Sequence, residues 1–172
     1  MRPFDTWEEA DEVMIERWNE VVKPEDKVYH LGDVTFNKNR GDIILPRLNG
    51  TKVLIRGNHD TFKPNWYLKY FKDIRGCYNL SVNGHYSYLL THIPVHPDSK
   101  GRFIRNLHGH IHGNIVTTRI KDNSIEIADK WYRNCCVDYV PNNYTPISFE
   151  DIEKETKTLI EDGIIFEPKT RE

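Results

Sequence analysis

The sequence predicts a single α/β domain over residues 1–172, and three observations lead there. Short apolar runs at 27–31 and 52–55 have the length of buried strands and alternate with helical patterns. Side chains that can hold a metal recur just beyond such runs: Asp33, Asn58, His92, His110 and His112. That is how a sheet delivers ligands to one edge. An apolar content of 38%, with 12% aromatics, is enough for a packed core and argues against disorder.

Thr6 and Glu9 form a capping-box pattern that opens a helix running to about residue 22. Ala10, Met14, Trp18 and Val21 recur on it at helical spacing and predict one buried stripe. Pro24 ends it. The first strand follows at 27–31, with Asp33 just past its end. Residues 43–48 read as a brief helix before the Asn49-Gly50 turn. The strand at 52–55 leads into the loop Gly57-Asn58-His59-Asp60. Residues 65–71 are aromatic-rich and read as helical, with Trp66, Tyr67, Tyr70 and Phe71 in its core.

Asn83-Gly84 is a hairpin signal joining strands at 78–82 and 86–90, and the second arm delivers Thr91-His92. A strand at 102–107 leads to the stretch 108–112, and two further β-like runs lie at 125–127 and 135–137. Ser148, with Asp151 three residues on, starts a final amphipathic helix to about residue 160.

Composition excludes several classes. With 24 basic and 26 acidic residues, spread along the chain, no basic face for a nucleic acid is evident. A small phosphorylated ligand stays open, because a metal can supply the positive charge. Cys77, Cys135 and Cys136 are odd in number, and two are adjacent, so reduced thiols in a cytoplasmic protein are expected. No apolar stretch approaches the roughly 18 residues of a membrane span, and the acidic, helical start is unlike a secretory signal.

The donor types carry the chemistry. Asp33 offers a carboxylate that can bridge two cations, Asn58 a neutral carbonyl oxygen, and His92, His110 and His112 imidazole nitrogens. This mixed set suits Mn, Fe, Zn or Ni rather than Ca or a thiolate-bound zinc. Two cations about 3.5–4 Å apart can clamp a phosphoryl group and activate an attacking water. A histidine beside them can protonate the leaving alkoxide. His59 is the candidate, with Asp60 to orient its ring. Residues two apart in extended chain face the same way, but His108 shares the parity of His110 and His112, so spacing alone does not choose among the three.

Other polar residues read as structural. His30 is an odd step from Asp33 and faces the other way, His85 belongs to the hairpin turn, and His96 sits in a loop between prolines. Lys100-Gly101-Arg102 with Arg105 reads as a solvated loop, phosphate recognition being its sharper alternative.

Gly32-Asp33, Gly57-Asn58-His59-Asp60, Thr91-His92 and Gly109-His110-Ile111-His112 resemble, in order and separation, the motifs of the calcineurin-like metallophosphoesterase family, in its small bacterial and phage branch. The resemblance spans nearly the whole chain. It implies a four-layer αββα sandwich with a two-metal site at the sheet edge. It implies hydrolysis of a small phosphoester, diester or monoester, with nucleotide-derived substrates among the options. By position, Asp33 would bridge the metals and Asn58, His92 and His110 would complete one site. His112 would serve the other, and His59 would stabilise the phosphate or protonate the leaving group. The family's opening Asp-x-His motif does not precede Asp33. Either the start lies upstream of Met1, or the sandwich is short of its first central strand; the residues present predict one intact metal site and one incomplete site keeping Asp33 and His112. The alternative is a binding protein that retains the scaffold.

Overall fold

The computed structural model describes residues 4–82, 86–119 and 125–168; Asn83, Gly84 and His85 lie outside the described residues. Helix α1 spans Trp7–Val21, with Thr6 as N-cap accepting from the Glu9 amide at 3.1 Å. The Glu9 carboxylate reaches back to the Asp5 amide at 2.9 Å, the capping-box exchange displaced by one residue. The buried face is rotated from the predicted stripe: Ala10, Asp11 and Ile15 are buried, while Val21 is exposed and Val22 buried. Asp11 is drawn inside by its ion pair with Arg40, a partner that periodicity does not reveal.

Strand β1 (Lys27–His30) pairs in parallel with β2 (Thr51–Ile55), which pairs in parallel with β3 (Asp73–Arg75). As the middle strand, β2 is buried from Lys52 to Ile55, the continuous burial expected of a strand covered on both faces. Leu54 enters a cluster with Leu45, Trp66, Tyr67 and Phe71 on the helix side. Ile55, one residue on, points the opposite way into a second cluster with Tyr88, Leu90, Leu107 and Ile152. The helix side is built by α2 (Lys38–Ile44), a 3-10 turn at Leu45–Arg47, and α3 (Pro64–Tyr67). α2 starts earlier than residues 43–48 predict, because the Asn37 side chain accepts from the Asn39 and Arg40 amides and caps it.

The second sheet has the order β4-β5-β6-β9: β4 (Cys77–Val82), β5 (Tyr86–Thr91), β6 (Arg105–His108) and β9 (Tyr132–Asn134). β4 and β5 are antiparallel, as the hairpin signal predicts, whereas β6 runs parallel to both β5 and β9. β9 lies just ahead of the β-like run at 135–137. A separate ribbon joins β7 (Thr117–Arg119) to β8 (Glu126–Ala128). Helix α4 (Phe149–Glu161), capped by Ser148, contributes Ile152 to the cluster shared by the two sheets. The architecture is mixed α/β, and no helix among the described residues is long and apolar enough to cross a membrane.

The topology fixes where chemistry can sit. His30 pairs with Leu54, so the loops after β1 and β2 leave one edge together. Thr91 pairs with His108, so the segments after β5 and β6 do the same.

Candidate metal centre

Four side chains meet where those strands end. His92 is buried, and its Nδ1 lies 2.6 Å from the Leu31 carbonyl. A carbonyl can only accept, so Nδ1 carries the proton, and in the neutral ring Nε2 presents a lone pair. Around that Nε2 stand Asn58 Oδ1 at 2.9 Å, His110 Nδ1 at 3.2 Å and Asp33 Oδ2 at 3.3 Å. Ligand atoms of Asp33, His92 and His110 all lie within 4.8 Å of one another. Lone pairs crowded this closely repel unless positive charge lies among them. The oxygen and imidazole donors fit a borderline divalent ion, which accepts such ligands at about 2.0–2.2 Å.

Two buried supports hold the loops. Asp60 is 1% exposed, and its carboxylate accepts from the amides of Asp33 (2.9 Å), Val34 (2.8 Å) and Gly57 (2.8 Å). That corrects the role expected for it. Both oxygens are engaged with backbone, so Asp60 ties the first ligand loop to the second rather than orienting His59. The second support is glycine at the crossing. A Cβ on Gly32 would stand 2.6 Å from both the Gly57 nitrogen and His92 Nδ1, and one on Gly57 would stand 2.6 Å from the Asp33 nitrogen.

Backbone strain gathers at the same place. Asp33 (φ 56°), His110 (φ 70°) and His112 (φ 51°) are three of the five non-glycine residues with positive φ among the described residues. Each such conformation costs about 1–3 kcal/mol and persists where the surroundings impose it, commonly at functional sites.

His59 is exposed and its ring stands outside the donor cluster, yet its amide donates to Asp33 Oδ1 at 2.9 Å. His112 also stands outside the three-residue group; its Nδ1 lies 2.8 Å from Asp138 Oδ2, a partner for which the sequence carries no signal. His108 is buried with Nδ1 2.9 Å from the Gly109 carbonyl, and burial lowers its pKa, keeping it neutral and structural. His30 packs edge-on against Phe71, and burial lowers its pKa as well. His96 caps the 3-10 turn Pro97–Ser99 by accepting from the Asp98 amide.

The basic run divides. Lys100 pairs with Asp129 at 3.2 Å, whereas Arg105 is 1% exposed and pairs with Glu155 at 2.9 Å, so it belongs to the core and not to a loop. Trp66, Tyr67 and Phe71 are core, as expected. All three cysteines are free, and burial pushes the thiols of Cys135 and Cys136 up to about 11, so both stay protonated at neutral pH. An open cleft of about 500 Å³ adjoins the cluster, with Asn58, His92, Ile93 and Arg56 on its wall. Arg56, unremarked in the sequence although it precedes the Gly-Asn-His-Asp loop, donates through Nε to the Asp60 carbonyl at 2.8 Å.

The uncharacterized protein MJ1445 of Methanocaldococcus jannaschii is 33% identical over 166 residues, covering 94% of this chain and 81% of that protein. The chain belongs to the MJ1445 family. A second relative is the Gene 66 protein of Mycobacterium phage L5, 27% identical over 163 residues, with 75% of this chain and 78% of that protein covered. The crystal structure of AQ665, a protein of unknown function from Aquifex aeolicus, superposes with a TM-score of 0.65 at 30% identity, covering 89% and 88% of the two chains. No family model matches.

Proposed function

We propose that this member of the MJ1445 family is a metal-dependent phosphoester hydrolase. The observation that carries the reading is the meeting of Asp33, Asn58, His92 and His110 around one imidazole lone pair, at the edge where parallel strands of both sheets end. Asp33, Asn58, His92 and His110 would hold one divalent ion, Mn or alternatively Fe, Zn or Ni. When bound, such an ion supplies positive charge to a phosphoryl oxygen and makes a water acidic enough to attack. The chain's own residues do the rest. The Leu31 carbonyl fixes the His92 tautomer, Asp60 holds the two ligand loops at their spacing, and His59 donates a proton to the leaving oxygen. The finer fold reading is the four-layer αββα sandwich. β1 is an edge of its three-stranded sheet among the described residues.

The pairing of His112 with Asp138 favours one ion held firmly over two of equal strength, and it leaves a second reading open, a binding protein that keeps the scaffold and one ion. Turnover separates the two. With added manganese, the chain is expected to hydrolyse bis(4-nitrophenyl) phosphate, and Asn58→Ala is expected to remove that activity. No turnover with any divalent metal contradicts the hydrolase reading.

A further inference from the structure

Phe36 stands three residues beyond Asp33 and is 77% exposed. It belongs to neither of the two apolar clusters. Its loop is not slack. The Thr35 hydroxyl accepts from the Asn37 amide and donates to the Asn37 carbonyl, both at 3.1 Å, and Asn37 in turn caps α2. Upstream, the amides of Asp33 and Val34 are tied to buried Asp60. A large aromatic ring is thus held in water by ordered backbone on both sides. It lies 4.9 Å, centroid to centroid, from the His59 ring at a tilt of 57°. The His59 amide bonds Asp33, so this aromatic pair borders the donor cluster directly.

We infer that Phe36 is the specificity-determining residue of the site, the platform on which the flat aromatic group of a phosphoester, in particular a nucleobase, stacks. The inference rests on the reading that the donor cluster receives a phosphoryl group. A ligand so anchored, with its next substituent running along the His59 side of the cluster, would meet the Phe36 ring. An aromatic face repels anionic groups and attracts a neutral π-system, and stacking on such a platform tolerates any base. The substrate class is therefore a nucleoside phosphoester rather than a purely aliphatic one.

Calorimetric titration of the manganese-loaded full chain tests this without turnover, using an adenosine phosphonate, whose C–P bond resists hydrolysis, and methylphosphonate, the same anion without a ring. The wild type is expected to bind the adenosine compound about tenfold more tightly, the scale of one stacked base. Phe36→Ala is expected to bring the two ligands within about twofold while leaving methylphosphonate unchanged, and Phe36→Tyr to retain the preference. Absence of a preference in the wild type, absence of binding, or a preference kept by Phe36→Ala overturns the platform. Hydrolysis of an aryl diester alongside such a result leaves the hydrolase reading standing. A base preference lost in Phe36→Ala, in a chain that hydrolyses nothing, supports the platform and contradicts the hydrolase.

Discussion

Replacing His59 by Ala is expected to lower kcat about 10²–10⁴-fold on a phosphoester whose leaving alcohol is weakly acidic, the usual contribution of a positioned general acid. On a 4-nitrophenyl ester the loss should be much smaller, because a nitrophenolate leaves without needing a proton. The contrast follows from the general-acid role proposed for His59, whose amide is fixed to Asp33. Ion affinity should be unchanged, since the amide bond survives the substitution. Steady-state kinetics across a series of leaving groups, with an ion titration beside them, provides the check. An equal loss on every ester would assign His59 to stabilising the phosphoryl group instead.

The second large effect lies in the core. Arg105 is 1% exposed, and its charge is met by Glu155, which also accepts from Arg133 at 3.0 Å. One Arg105 nitrogen, Nη1, already lacks a partner among the described residues. Glu155→Ala would leave a buried guanidinium without its carboxylate. Breaking a fully buried pair costs about 3–5 kcal/mol; here Glu155 is 40% exposed and water can enter, so about 2 kcal/mol is expected. In a chain of this size that lowers Tm by about 4–8 °C. Burial by itself would push the Glu155 pKa up, but Arg105 and Arg133 together hold it below the usual glutamate range. A folded-state pKa below the unfolded one means that this stability is complete above the unfolded value, near 4.5, and is lost as pH falls through the folded value. Thermal melts from neutral to acid pH should show the wild type converging on Glu155→Ala only at the acid end.

Much of the centre was legible because a parallel sheet places the residues after its strands at one edge. Asp33, Asn58, His92 and His110 each follow an apolar run, and the chain brings them together. Asp60 was legible as a residue but not in its role, since its partners are backbone amides, and these leave no pattern in a sequence. His112 sits two residues beyond His110, a spacing that promises a shared face only in extended chain. Both have positive φ, which breaks that alternation. Arg105 misled for a related reason. In β6 every residue from Arg105 to His108 is buried, so polar residues carry no sign of exposure there, and the neighbouring Lys100-Gly101-Arg102 suggested a solvated loop. The capping signals at Thr6 and Ser148 were reliable because they are local. The buried stripe of α1 was not, because Asp11 is inside only through Arg40, 29 residues away.

The most direct test is the number of manganese ions bound per chain, measured by calorimetry and by native mass spectrometry on metal-free protein. One firmly bound ion in the wild type is expected, lost in His92→Ala with the circular dichroism spectrum retained. A wild type that binds none, or a His92→Ala variant that binds as well as the wild type, contradicts a metal centre at this edge.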